Sequence, residues 1–371
     1  MAEEIEPIRN EINKPKEKRI KLFLKNYWKY ILGIFVTLGL IGFLIWKSNP
    51  IEVWNGFTNS RIEYIFAALG CTFLLFVLKT IRWQLILKPH GYNIPFFEAL
   101  KLITIGTFGS AITPAKVGDV LRAFYLSKNK KEVKVGVSVF SVIFDRILDL
   151  SSIFVLLIFT APITLFFFGF DMIEWWILAS IVGGFVIFVI LIFISFNGKL
   201  SKPILNFFIK YLSKMFKKDE VKNKINISSK EIIDDFYDNQ RNYKFWNYLI
   251  LGFISFSFWS ILGIQGFLLL LAFNASITFS SLIIIITIMA VLSIAAISSM
   301  AIPISLGGIG IRDTVIMGLF LIFLNIEKAT SINLSIFQTF LNVLIPGIIG
   351  GIILIGINRK IPNKIETKSP S

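Results

Sequence analysis

The sequence is almost without thiol and imidazole: it has one cysteine, Cys71, and one histidine, His90, among 371 residues. A lone cysteine excludes an intrachain disulfide and a multi-cysteine metal site. Cys71 lies in an apolar run and reads as a small buried or lipid-facing residue. His90 sits in a Lys-Pro-His-Gly-Tyr turn and reads as a turn residue. Metal catalysis and histidine-based nucleophile triads are therefore disfavoured, and no nucleotide-binding P-loop is present. No catalytic residue, metal site or cofactor is assigned. Charge is scarce too. Only 16% of the residues are charged, against roughly 25% in a soluble domain.

Apolar surface takes the place of charge, at 55% of residues. Runs such as Trp176–Phe196 and Leu249–Phe273 are long enough to cross a hydrocarbon core roughly 30 Å thick. The expected fold is an all-α polytopic bundle with full crossings at about 28–47, 62–81, 136–161, 173–196, 247–272 and 334–357. Two further stretches, 96–127 and 278–325, each have two apolar arms around a Pro-Gly-rich, charged centre and are expected to be broken or re-entrant. The apolar run Ile31–Trp46 follows a charged start and precedes Lys-Ser-Asn-Pro, so it reads as a retained helix rather than a cleaved signal.

The net charge of +15 is a topology signal rather than a nucleic-acid footprint. Lysine and arginine concentrate in the N-terminal tail, in 128–134, in 199–244 and in 359–368, while the intervening connections carry very few. These basic segments share one side only if both broken stretches return to the side they entered. The positive-inside rule then makes that side cytoplasmic, with both termini on it. The expected organisation is a basic tail (1–27), a first membrane half (28–196), a basic linker (197–246), a second membrane half (247–357) and a cytoplasmic tail (358–371). Within the linker, Ile204, Phe208, Leu212 and Met215 share one face of an amphipathic basic helix suited to an anionic leaflet, with a solvated, partly helical linker as the alternative.

The broken stretches resemble each other. Pro114-Ala-Lys-Val-Gly118-Asp119-Val-Leu-Arg122 follows one small-residue arm, and Pro303-Ile-Ser-Leu-Gly307-Gly308-Ile-Gly310-Ile-Arg312-Asp313 follows another. With the topology above they form an inverted repeat, whose site lies near the midplane where broken helices meet. Proline ends each arm, and glycine allows a sharp turn and close backbone approach. The restarting helix leaves unpaired N–H groups and a positive dipole end, which suit an anion. Arg122, Arg312 and Lys116 reinforce that site, with Gly118, Gly307 and Gly308 shaping it. Charges at membrane depth are costly and face a bundle interior. Asp119, Asp145, Arg146, Asp149 and Asp313 are therefore read as charge-balancing residues, and for these ions as for Arg122 and Arg312 a purely structural tie between the halves is the alternative. Lys79, Arg82 and Lys88, at the end of an apolar run, read as snorkelling to the interface.

Four motifs in order carry a family likeness. They are Arg82-Trp83, Pro114-x-x-x-Gly118-Asp119-x-x-Arg122, Asp145-Arg146-x-x-Asp149-Leu150, and Pro303-x-Ser305-x-Gly307-Gly308-x-Gly310-x-Arg312-Asp313. From about residue 28 to 357 the chain resembles the lysylphosphatidylglycerol synthase membrane-region family, also called flippase-like integral membrane proteins. That family commonly has Glu where Asp119, Asp145 and Asp313 stand. The resemblance implies the flippase-like region without the soluble aminoacyl-transferring domain of full-length synthases. It implies translocation of an anionic phospholipid or polyprenyl-phosphate-linked intermediate, with membrane lipids as partners. A second copy of the chain or a lipid-synthesis enzyme is a further candidate partner. A secondary transporter for a small anionic solute, a membrane transferase and a non-transporting scaffold are the competing readings.

Overall fold

The computed structural model describes residues 35–113, 117–130, 132–168, 243–275, 280–301 and 305–359. The described residues are helical, with five helical stretches long and apolar enough to cross a membrane: Ile62–His90, Val135–Phe168, Phe245–Ala272, Ser281–Met300 and Lys328–Ile357. A shorter apolar helix spans Phe35–Lys47. The chain is thus an all-α, multi-pass membrane protein. The expected crossing at 173–196, most of the 197–246 linker, and Pro114, Lys116 and Pro303 lie outside the described residues.

Each helix begins where local chemistry permits it. After α1 (Phe35–Lys47), Asn49 caps α2 (Pro50–Thr58): its side chain accepts from the Ile51 N–H at 3.2 Å, and Pro50 occupies the first turn. The next helix, α3 (Ile62–Leu87), runs past the expected end at 81 and closes in a 3-10 turn, Lys88–His90, stopped by Gly91 in the left-handed region. Pro95 precedes α4 (Phe96–Ile112). Next to Pro114, Thr113 is extended, as a residue before proline must be, and α4 ends there.

The chain restarts in a 3-10 turn (Val117–Asp119) and α5 (Val120–Asn129), followed by α6 (Val135–Phe168). The sequence places a span end at 161, but α6 continues through Pro162. Neighbouring packing re-satisfies backbone freed by proline inside a membrane bundle. Beyond the linker come α7 (Phe245–Ala272), α8 (Ser281–Ala301) and α9 (Ile311–Leu324). The last span is compound: α10 (Lys328–Thr339), a π turn (Phe340–Leu344) and α11 (Ile345–Arg359).

Small residues let the backbones approach. A Cβ on Gly350 of α11 would stand 2.0 Å from the Thr104 carbonyl oxygen of α4. Helices in lipid associate through such close packing rather than through hydrophobic exclusion. A large apolar cluster, including Ile288, Val291, Leu292, Phe320 and Leu334, ties α8 to α9 and α10. A second, including Trp83, Leu102, Ile103 and Leu126, ties α3 to α4 and α5.

The two broken units differ in build. In the first, Gly118 is needed for approach: its Cβ would meet the Gly109 carbonyl oxygen at 2.0 Å. In the second, Gly307, Gly308 and Gly310 have φ of 61°, 78° and 89°, which side chains disfavour. The two breaks touch, since the Gly307 N–H donates to the Thr113 carbonyl at 3.3 Å. Thr113 also staples its own break, its hydroxyl donating to Gly109 O (2.7 Å) and accepting from Gly118 N (2.8 Å).

Candidate functional site

Six charged side chains close a ring beside the first break. Asp145 on α6 bridges Arg82 of α3 and Arg122 of α5, each at 2.6 Å. Asp119 bridges Arg122, at 3.3 Å, and Arg146. Asp149 closes the circuit, 3.4 Å from Arg146 and 2.7 Å from Arg82. Asp145 and Asp149 are one helical turn apart, so both reach the same face of α6. Three arginines and three aspartates make the ring formally neutral. Neutrality is what membrane depth demands, because an unpaired charge there is strongly disfavoured. Further contacts pin the ring: Arg82 donates to Ser255 of α7 at 3.0 Å, and the Arg122 guanidinium lies 5.3 Å from the Trp83 ring centroid.

Most of the charged residues singled out in the sequence are therefore brought together, with Asp119, Asp145, Arg146 and Asp149 in one ring of balanced charge. Arg122 is fully buried and ion-paired through Nη2 with both Asp119 and Asp145, while its Nε and Nη1 have no hydrogen-bond partner among the described residues. Arg82 does not snorkel to an interface. It is 2% exposed at the centre of the ring, because α3 runs on through Leu87 and carries it inside the bundle. Gly118 and Gly308 serve packing, against Gly109 and Ser299 respectively.

The second break builds its own cluster. Asp313 accepts from the Gly310 N–H at 2.8 Å, fixing the start of α9, and also accepts from the Ser335 hydroxyl of α10. Arg312 lies 3.5 Å from Asp313 and donates to Thr339. Next to this cluster, Gln265 of α7 donates to Thr72 (2.8 Å), and Asn342 of the π turn donates to Gln265 (2.7 Å). The sequence reading passed over this polar set. Its signal was present: Ser331, Ser335, Gln338, Thr339 and Asn342 recur at helical spacing through an otherwise apolar span.

Between the two clusters lies a cavity of ≈ 180 Å³. Its charged lining is Lys79, Arg82, Arg146, Asp149 and Arg312, and Gln338 and Asn342 line it too. Phe76, Phe258, Trp259, Leu262 and Leu292 add apolar lining, and Gly307 brings the second break to the cavity. No cluster of residues able to hold a metal ion occurs among the described residues.

Comparison with known proteins agrees with this architecture. Residues 30–351 match the family described as the lysylphosphatidylglycerol synthase TM region. The chain is 28% identical to a UPF0104 membrane protein of Methanocaldococcus jannaschii over 347 residues, 90% of this chain and 94% of that protein. It is 26% identical to a UPF0104 membrane protein of Pyrococcus horikoshii over 353 residues, 91% of this chain and 98% of that one. A third such protein, from Methanothermobacter thermautotrophicus, is 23% identical over 257 residues, 66% of this chain and 74% of its own length.

Proposed function

The chain belongs to the lysylphosphatidylglycerol synthase TM-region family, and from that premise we propose that it is a flippase-like translocase of an anionic lipid or lipid-linked intermediate. Its place is the cytoplasmic membrane, with both termini on the cytoplasmic side. One observation carries the reading: the cavity is lined both by charged side chains and by apolar ones. A small soluble anion needs only the first. An anionic headgroup with the start of its acyl or prenyl chains uses both. Binding sites near the meeting point of broken helices are the pattern of transporters built from inverted repeats, and the two breaks of this chain touch beside the cavity.

In this reading the phosphate sits against Arg312 and the neighbouring donors, while the tails remain towards lipid. The protein changes the lipid's leaflet and leaves its covalent structure alone. The test is reconstitution into liposomes containing headgroup-labelled phospholipid or polyprenyl phosphate, followed by chemical quenching of the outer leaflet. Quenching of label that begins in the inner leaflet, faster than in protein-free liposomes, is the expected result. Absence of movement for every anionic lipid tried overturns the proposal. Uptake of a small anionic solute without lipid movement replaces it with the solute-transporter reading.

A further inference from the structure

We infer that Lys79, rather than any arginine of the ring, sets the charge of the ligand, and that the site takes a singly charged phosphodiester headgroup. The inference rests on the translocase reading and adds to it the class of headgroup and the residue that selects it. The cations around the cavity are not equivalent. Arg82, Arg122 and Arg146 are committed to Asp119, Asp145 and Asp149 in a closed ring. Arg312 stands against Asp313. Lys79 lines the same cavity, one helical turn from Arg82 on α3, and makes no ion pair or hydrogen bond with any described residue. Setting ring and pair aside as neutral leaves one positive charge, that of Lys79.

The uncharged groups point the same way. Trp259 and Gln338 line the cavity, are 7% and 1% exposed, and carry buried N–H groups (Nε1 and Nε2) with no partner among the described residues. Arg312 Nε is in the same condition. Unmet buried donors are costly unless a ligand supplies acceptors. An ammonium beside several spare N–H donors matches a group with one net negative charge and several acceptor oxygens. A phosphodiester is that group. A phosphomonoester, with a second ionisation near neutral pH, would bring charge that the site does not balance.

The experiment uses the full chain in nanodiscs of neutral lipid doped with a fluorescent phosphatidylglycerol or a fluorescent phosphatidic acid, and reads probe binding by energy transfer from tryptophan. The expected results are at least tenfold tighter binding of phosphatidylglycerol than of phosphatidic acid, at least tenfold loss of that binding in Lys79→Gln, and near-complete recovery in Lys79→Arg. Because Lys79 lies outside the ring, Lys79→Gln should keep the wild-type unfolding temperature, so lost binding cannot be ascribed to lost structure. Unchanged binding in Lys79→Gln overturns the assignment, as does equal or tighter binding of phosphatidic acid. A change in unfolding temperature of Lys79→Gln as large as that of a ring variant also overturns it, by making Lys79 structural. Deacylated glycerophosphoglycerol serves as competitor: displacement only at large excess fits a lipid, and displacement at equal concentration makes the ligand a soluble diester and overturns the lipid assignment. The outcomes separate the two readings. Lipid movement that ignores Lys79 sinks only this inference, whereas no binding and no movement sinks the translocase reading itself.

Discussion

Asp145 carries two obligations at once, since it is the anionic partner of both Arg82 and Arg122 and is itself wholly buried. Replacing it by Asn keeps the shape and removes the charge, leaving two guanidinium groups short of an anion at membrane depth. Breaking a buried pair by removing one partner typically costs about 3–5 kcal/mol. Asp145→Asn is therefore expected to lower the unfolding temperature in detergent markedly, in a size-exclusion or fluorescence melt. The ring was partly legible in the sequence. Asp119, Arg122, Asp145, Arg146 and Asp149 declare themselves because charge within apolar runs is rare. Arg82 did not, because an arginine close to the end of an apolar run looks interfacial until the length of its helix is known. The Trp83 beside it, which stacks on Arg122, was the available hint.

At the scale of elements, the last span shows how small residues and an irregular turn position the site. Gly350→Ala on α11 would place its Cβ against the Thr104 backbone of α4 and force the helices apart, at about 1–3 kcal/mol for overpacking. Gly356→Ala, six residues on, meets nothing within 4 Å and is expected to be neutral or to stabilise by about 1 kcal/mol through helix propensity. Opposite shifts in thermal unfolding of the two variants would confirm that α11 is held by contact at one glycine and not the other. Proline and glycine made both breaks readable in the sequence. The π turn at Phe340–Leu344 was not readable, because no residue type marks it. It turns Asn342 toward Gln265 and the cavity, a placement often found where irregular helix serves function.

For the whole molecule, the testable quantity is orientation. If the two broken units are inverted copies, Lys128 after the first and Lys328 after the second lie on opposite sides of the membrane. Both residues are exposed. With Cys71 replaced by Ser as background, cysteines introduced at 128 and 328 should label from opposite faces with a membrane-impermeant maleimide, 128 from the cytoplasmic one. Labelling from the same face would remove the inverted repeat. The membrane class was plain from apolar run lengths, but the count of crossings was not: Ser281–Met300, inside a stretch expected to be broken, is long enough to cross, and the expected crossing at 173–196 lies outside the described residues. Less plain was that the units are unequal: α8 has 21 residues and can cross alone, whereas α4, α5 and α9 have 17, 10 and 14. Apolar composition reports that a segment lies in the bilayer, and its helix length emerges only from where packing lets it stop.

The closed ring of three arginines and three aspartates also decides how the membrane potential acts on the protein. A potential of 100 mV does work of about 2.3 kcal/mol on each elementary charge moved fully across the bilayer. A formally neutral ring moved as a unit carries no net charge for that field to act on. With Lys79 facing the singly charged headgroup proposed above, the loaded site would be neutral as well. If the proposed translocase works this way, only the empty site would carry a charge, and voltage would act on the return of the unloaded protein rather than on the passage of lipid.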